Sequence, residues 1–200
     1  KDYLGNATKC YPDCLLDSGT PDYEALISYI RGNSTSGCRS RKTGNGVWKL
    51  GDILYSTPKT VKYDKGYSLL FAGANDGMLH AFRMGYIKNL GKEKQPSQLC
   101  EEKGVCSTSG QPKLGKEEWA FIPKEAMPYL RFMANPDYPH MYTVDQTPYI
   151  IETENEKYLI GGMRLGGGTA DGDTPPPIDT QPVGRSAYFA LKITDPQNPE

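Results

Sequence analysis

The sequence lacks the features that mark several common protein classes. No apolar run approaches the ~18 residues that a membrane-spanning helix needs. The 23 basic residues nearly balance the 24 acidic ones and form no basic stripe, so nucleic-acid binding has little support. The 2 histidines lie far from most of the cysteines, and no C-x-x-C pair occurs, which argues against zinc and haem sites. We therefore expect a globular chain without a resident cofactor.

Glycine and proline, in contrast, are abundant. The 22 Gly and 16 Pro favour a turn-rich, mostly β architecture over a helical one. The chain opens on "KDYLGNATKC", which contains neither an initiator methionine nor a signal peptide. It closes on "ITDPQNPE", directly after a strand-like run. We therefore expect a piece of a longer protein.

Cysteine usage favours disulfide bonds and an exported location. Cys100 and Cys106 flank a short polar stretch, which favours a local disulfide between them. Cys38 is then expected to pair with Cys10 or Cys14, and the remaining cysteine is free or bonds outside this chain. Such stapling is typical of oxidising compartments. The alternative, five reduced thiols in a cytosolic protein, stays open.

Two short helices are predicted among the strands. In "TPDYEALISYIRG", Thr20 suits the N-cap, Pro21 the first helical position and Gly32 the end. Apolar residues recur at helical spacing in this segment and predict one buried stripe: Tyr23, Leu26, Ile27 and Ile30. The second predicted helix lies in "PKEAMPYLRFMANP" and contains Pro128.

Strand patterning begins at Trp48 and repeats along the chain. The first unit is "STPKTVKYDKGYSLLFAGANDGMLHAF", and the second is "QTPYIIETENEKYLIGGM" followed, after a loop, by "SAYFALKIT". Each unit opens on a Thr-Pro step, continues to an apolar run that ends in glycine, and has a third strand with Ala81 or Ala190 before an apolar residue. Repeated units of three or four antiparallel strands are typical of propeller blades, which need neighbours to bury both faces.

The predicted fold is therefore all-β with two short helices, an incomplete β-propeller of about two blades. Residues 1–47 form a lead-in with the first helix and a cysteine-stapled loop. Residues 48–200 form the blades, interrupted by polar insertions at 85–117 and 166–184.

A candidate site lies at the turn between the second and third strands. Asn75, Asp76 and Gly77 could contact a ligand or metal, or form a hairpin turn whose side chains bond their own backbone. Asp-Gly between apolar runs favours the hairpin. His80 follows in the third strand; a catalytic or metal role would need a partner, and a packed histidine is the favoured interpretation. The same holds for His140.

Two further sets of acidic residues are candidate sites. Asp52 and Asp145 each precede a Thr-Pro step; an acid–base pair is conceivable, but their similar places favour a shared structural role such as capping backbone amides. Asp171, Asp173 and Asp179 fall at positions 1, 3 and 9 of a calcium-loop pattern. Prolines at positions 5, 6 and 12 argue against calcium there and favour a solvated insertion.

Six segments, in this order, carry a family resemblance: "WKLGDILYSTP", "FAGANDGMLHAF", "EEWAFIP", "HMYTVDQTP", "YLIGGMRLGGG" and "AYFALKITDP". Together they resemble the start of the C-terminal β-propeller of the neisserial PilC type of type IV pilus-tip proteins, which includes the PilY adhesins. The resemblance runs from about Tyr23 to Pro196, interrupted by the two insertions.

The resemblance implies a large exported protein at the pilus tip or outer cell surface that supports pilus assembly, counters retraction and helps cells adhere. Its expected partners are minor pilins or the rest of the same protein, together with host or abiotic surfaces. Relatives carry a calcium loop later in the propeller, and this chain has no clean copy of it. The function is then binding without catalysis. The alternatives are part of a quinone-dependent dehydrogenase-like propeller, disfavoured because there is no adjacent Cys-Cys pair, and a general exported binding scaffold.

Overall fold

The computed structural model of the chain describes residues 23–34, 38–88, 98–100, 114–134, 138, 140–166 and 186–200. Within these ranges the strands are, in chain order, β1 (Lys42–Thr43), β2 (Gly46–Val47), β3 (Lys59–Lys62), β4 (Ser68–Gly73), β5 (Leu79–Met84), β6 (Tyr86–Lys88), β7 (Gln98–Cys100), β8 (Glu117–Phe121), β9 (Tyr149–Glu152), β10 (Lys157–Gly162) and β11 (Tyr188–Lys192). The α-helices are α1 (Tyr23–Ile30) and α2 (Leu130–Met133).

Two antiparallel sheets dominate the described part of the chain. The first sheet has four strands in the order β3-β4-β5-β8, and the second has three in the order β11-β10-β9. Two small hairpins, β1-β2 and β6-β7, complete the strand pairing described. The prediction of a mostly β fold with two short helices is confirmed. The predicted insertion at 85–117 contains the β6-β7 hairpin and the first residue of β8.

Helix α1 ends where the sequence predicts, but its buried face differs. Gly32 adopts φ +86°, and the amides of Gly32 and Asn33 donate to the carbonyls of Tyr29 and Ser28, the bond pattern of a glycine-terminated helix. Leu26, Tyr29 and Ile30 are buried, whereas Ile27 is 41% exposed, so the prediction of Ile27 in the stripe is wrong. Tyr29 tolerates burial because its hydroxyl accepts a hydrogen bond from Arg39.

The second predicted helix is mixed. A 3-10 helix at Lys124–Tyr129 runs into α2. Pro128 lies inside the 3-10 segment, where its missing N–H removes one of the i→i−4 bonds of a regular α-helix. Tyr129, Leu130 and Met133 pack with α1 in a buried cluster.

The internal repeat is present in the strand register. Lys59, after the first Thr-Pro step, pairs with Phe71, and Tyr149, after the second, pairs with Ile160. Phe71 then pairs with Ala81 on the next strand, as Ile160 pairs with Ala190. The two three-stranded meanders β3-β4-β5 and β9-β10-β11 therefore correspond residue by residue.

The main core lies between the two sheets. Val61, Leu69 and Phe71 of the first sheet share one buried cluster with Leu159 and Leu191 of the second. Full burial of each large apolar side chain contributes about 1.5–3 kcal/mol, so this interface is the main source of stability in the fold.

Polar and aromatic contacts also join the sheets at their margins. The Tyr63 hydroxyl donates to the carbonyl of Ile193 at 2.9 Å, and the Phe121 and Phe189 ring centroids lie 5.1 Å apart. The Trp119 Nε1 donates to the carbonyl of Pro196, which fixes the chain after β11 against the first sheet.

The connection into the second sheet approaches the first sheet closely. A Cβ atom added to Gly73, the last residue of β4, would lie 2.3 Å from the carbonyl oxygen of Val144. Neither group is a flexible side-chain end, so the backbone would have to move. A glycine is therefore required here by space and not by turn geometry.

Replacing Gly73 with alanine is expected to lower the free energy of unfolding by about 1–3 kcal/mol, the usual cost of overpacking a filled core. The matched control is Gly44→Ala in the exposed β1-β2 turn, because a Cβ there meets nothing within 4 Å. Urea unfolding followed by circular dichroism measures both variants. Equal stability of the two variants would contradict the close approach.

Candidate functional site

The turn between β4 and β5 is a tight hairpin, as predicted. The Ala74 amide donates to the Met78 carbonyl at 2.9 Å, and Gly77 adopts φ +91°, which favours glycine. Asn75 and Asp76 are buried, although turn residues are usually exposed. Burial requires their polar atoms to be satisfied by other parts of the chain.

Asp76 and His80 form the centre of a buried charge cluster. The His80 Nε2 lies 3.1 Å from both carboxylate oxygens of Asp76, and the Nδ1 lies 2.5 Å from Oε1 of Glu117. Asp76 also accepts hydrogen bonds from the amides of Gly51 and Met78. The imidazole thus lies between two carboxylates, one of them anchored to the backbone.

This arrangement favours the charged form of the imidazole. Burial alone would lower the pKa of His80, but hydrogen bonds and charge interactions with Asp76 and Glu117 outweigh it and raise the pKa to about 9. His80 is therefore an imidazolium at neutral pH, and its ring stacks on Phe82 with centroids 5.5 Å apart.

Both ring nitrogens of His80 bond carboxylates, so neither is free to accept a proton. A general base must be neutral and within reach of the proton that it removes. The geometry instead suits a salt bridge that ties the β4-β5 turn to strand β8 and to Gly51. The histidine predicted to bond backbone or a neighbouring blade is thus packed, but its partners are two carboxylates of its own sheet and turn.

Asn75 connects the turn to two other segments. Its Nδ2 donates to the Asp52 carboxylate at 3.0 Å, and its Oδ1 accepts the Thr143 amide at 3.0 Å. The Thr143 hydroxyl in turn donates to Ala74 and accepts from Gly77. The side chains of this turn therefore bond distant segments in addition to the local backbone.

Asp52 and Asp145 lie in different surroundings. Asp52 is exposed and bonds Asn75 and His140, and its hydrogen bonds with these two side chains lower its pKa although burial opposes them. Asp145 is buried, and it accepts the Tyr55 amide at 3.2 Å and contacts an Arg164 Nη at 3.3 Å. The Asp145 carboxylate therefore bonds a backbone amide of the first Thr-Pro segment, whereas the Asp52 carboxylate bonds side chains, so the two acids have different partners.

The two Thr-Pro steps bond each other. The Thr147 Oγ1 accepts the Thr57 amide at 2.9 Å and donates to the Tyr55 carbonyl at 3.1 Å. The sequence predicts a strand over residues 51–63 that is interrupted at the Ser-Thr-Pro step, but the regular strand begins only at Lys59. The backbone amides of this segment bond side chains of the second unit in place of a neighbouring strand.

Metal binding has no support in the described part of the chain. No group of three or more His, Cys, Asp or Glu there is placed to hold a metal ion. The calcium candidates Asp171, Asp173 and Asp179 lie outside the described residues. None of the helices described is long and apolar enough to cross a bilayer.

Two of the five cysteines are described, and both are in disulfide bonds: Cys38 and Cys100. Their expected partners Cys106 and Cys10 or Cys14 lie outside the described residues, so the pairing itself stays a prediction.

Sequence reasoning missed Glu117, Thr143 and Arg164. Glu117 meets His80 across 37 residues, and Thr143 meets Gly77 across 66, so no local pattern reveals either contact. Arg164 adopts φ +50°, and its guanidinium lies 3.8 Å from the Tyr55 ring centroid. The sequence offers one indication of these contacts, which is the position of Thr143 just before the second Thr-Pro step.

Comparison with known proteins gives two curated relatives, both from Xylella fastidiosa strain Temecula1 and both named type IV pilus biogenesis factor PilY1 homolog. The first is 34% identical over 129 residues, which is 64% of this chain. The second is 27% identical over 135 residues, or 65% of the chain. Over the matched residues, this chain is therefore similar to both of these proteins. The matched region spans only 6% and 7% of the relatives' lengths.

No family model matches the chain. Nor does any solved structure give a significant match.

The His80 cluster predicts a specific pH dependence of stability. Folding raises the pKa of His80 from 6.5 to about 9. The contribution of the charged His80 to the free energy of unfolding is therefore fully present below pH 6.5 and is lost as pH rises through about 9. The parent chain should be more stable than the His80→Gln variant at low pH. This difference in the free energy of unfolding should decrease by up to about 3 kcal/mol as pH rises from 6.5 to about 9. Urea unfolding at a series of pH values measures this difference.

The prediction of a packed His140 is wrong, because this side chain is exposed and forms a surface pair with Asp52. The matched control is therefore His140→Gln. Such surface pairs contribute about 0–1 kcal/mol to stability. The difference in free energy of unfolding between His140→Gln and the parent chain should therefore stay small at every pH. A His80→Gln difference that does not change with pH would contradict the charged imidazolium.

Proposed function

We propose that the chain is a non-catalytic part of a type IV pilus biogenesis protein, located at the cell surface or in association with pili. The observation that carries this proposal is the 34% identity over 129 residues to a PilY1 homolog. The site geometry is consistent with it, because the buried charges link chain segments and His80 presents no free base. Minor pilins or other parts of the same gene product are the proposed partners, with adhesion to host or abiotic surfaces as the proposed outcome.

The finer proposal is that the two sheets are consecutive blades of a β-propeller. This proposal is supported by the difference between the two sheets in which face packs against the other sheet. In the first sheet, Val61, Leu69 and Phe71 lie on the face that packs against the second sheet. The register places Ile151, Tyr158 and Ile160 at the corresponding positions of the second sheet, on the face that points away from the first.

That outer face of the second sheet is apolar. Tyr149 is 67% exposed, Ile151 40% and Tyr188 74%. Contiguous exposed apolar surface of this kind marks an interaction surface. The two sheets contact each other through different faces, so the contact is head-to-tail and two sheets do not form a closed arrangement. We propose that a third sheet of the same repeat packs on the outer face of the second sheet.

The surface location has a direct test. Antibodies raised against the 200-residue chain, detected with gold particles in electron microscopy of intact bacteria, should label the ends of pilus filaments or the cell surface. Labelling that repeats along the filament shaft, or that is confined to the cytoplasm, would contradict the proposal. A bound quinone in the purified full gene product would favour the dehydrogenase-like alternative.

The third-sheet proposal predicts different effects at two corresponding positions. Val61→Lys should destabilise both the 200-residue chain and the full gene product, because Val61 is already buried between the sheets. Ile151→Lys should leave the 200-residue chain within about 0.5 kcal/mol of the parent, as exposed substitutions usually do. In the full gene product it should cost several kcal/mol, the penalty for burying an unpaired charge.

Thermal unfolding measures these effects when each of the two variants is compared with its parent, both in the 200-residue chain and in the full gene product. If Ile151→Lys has no effect in the full gene product, the face stays open there and the proposal of a third sheet fails.

A further inference from the structure

A groove of about 350 Å³ lies beside the β1-β2 hairpin, apart from the sheet interface. Its lining includes Arg39, Arg41, Trp48, Lys49 and Tyr138. We propose that this groove binds a carboxylated polysaccharide, with the two guanidinium groups on the carboxylates and the indole of Trp48 on a sugar ring. This inference does not depend on the pilus assignment.

The two guanidinium groups are held in place by tyrosines. The Arg39 guanidinium lies 4.2 Å from the Tyr138 ring centroid, and its Nε donates to the Tyr29 hydroxyl at 3.1 Å. The Arg41 guanidinium lies 4.0 Å from the Tyr29 ring centroid, and an Nη donates to the Lys49 carbonyl at 3.0 Å. Side chains fixed before binding lose less entropy when a ligand arrives.

These cations form no ion pairs with the carboxylates described. Neither Arg39, Arg41 nor Lys49 forms a salt bridge within the described residues. The two acids that line the groove have other partners: Asp52 contacts His140 at 2.9 Å, and Asp76 contacts His80 at 3.1 Å. The groove therefore offers three cationic side chains without a carboxylate partner among the described residues, and the two Nη groups of Arg39 suit a planar, two-oxygen anion.

Trp48 indicates the kind of molecule that carries the anion. Its side chain is 67% exposed, while its amide donates to the Arg41 carbonyl at 2.8 Å and closes the hairpin. An exposed indole beside cationic side chains offers a flat surface for the C–H face of a pyranose ring. Nucleic acid is disfavoured, because it needs a basic track along its backbone and the chain has a net charge of −1.

The test is a titration of the 200-residue chain with a short oligomer of galacturonic acid in an isothermal titration calorimeter. It is carried out at low and at physiological salt concentration. The acidic oligomer should bind, and an oligomer of galactose with the same linkage should bind at least about tenfold more weakly. Trp48→Ala and Arg41→Gln should each weaken binding of the acidic oligomer about tenfold. Arg41→Lys, which keeps the charge but removes the planar fork, should be intermediate.

The matched control is Lys59→Gln, which removes an exposed cation from strand β3 outside the groove and should leave binding unchanged. Trp48 is exposed, so its loss does not disturb folding, and circular dichroism checks this for each variant. The proposal is overturned if the acidic oligomer does not bind at millimolar concentration, or if the Trp48→Ala variant binds as tightly as the parent. It is also overturned if a single-stranded oligonucleotide binds more tightly and through the same residues.

Discussion

The close passage of residues 143–147 between the ends of the two sheets is the constraint on which the rest of the structure depends. Thr143 bonds both Ala74 and Gly77 of the first sheet's turn, and Val144 lies against Gly73. At the other side, in the turn that follows β10, a Cβ on Gly166 would lie 2.1 Å from the Thr143 carbonyl oxygen. Backbone contact on both sides fixes the separation of the sheets, and with it the depth of the apolar core between them.

A junction this tight buries polar backbone, and the side-chain network satisfies it. Asn75, Asp76, Asp145 and Thr143 are all buried, and each has partners on a different segment of chain. Removing one partner from such a network leaves another group buried and unsatisfied, which costs more than the bond itself contributes. The residues that resemble a catalytic set therefore account for the shape of the turn, with His80 as the charge that balances Asp76.

Local patterns in the sequence predicted most of the strands and the turn, because these depend on neighbouring residues. Alternating apolar residues and Asp76-Gly77 identify the β4-β5 hairpin, and the repeated Thr-Pro steps identify two units. The contacts of His80 with Glu117 and of Tyr55 with Asp145 join residues 37 and 90 apart, and the sequence carries no signal for them. The error at Ile27 has a similar cause, since Arg39 makes the burial of Tyr29 favourable.

The central claim is that the two sheets are successive members of an open series. An experimentally determined structure of the full gene product tests it most directly. The account predicts a third antiparallel sheet packed on the face formed by Tyr149, Ile151 and Tyr188, as the second sheet packs on Val61 and Leu69. A structure in which that face meets solvent, or an element other than a sheet of the same repeat, would contradict it.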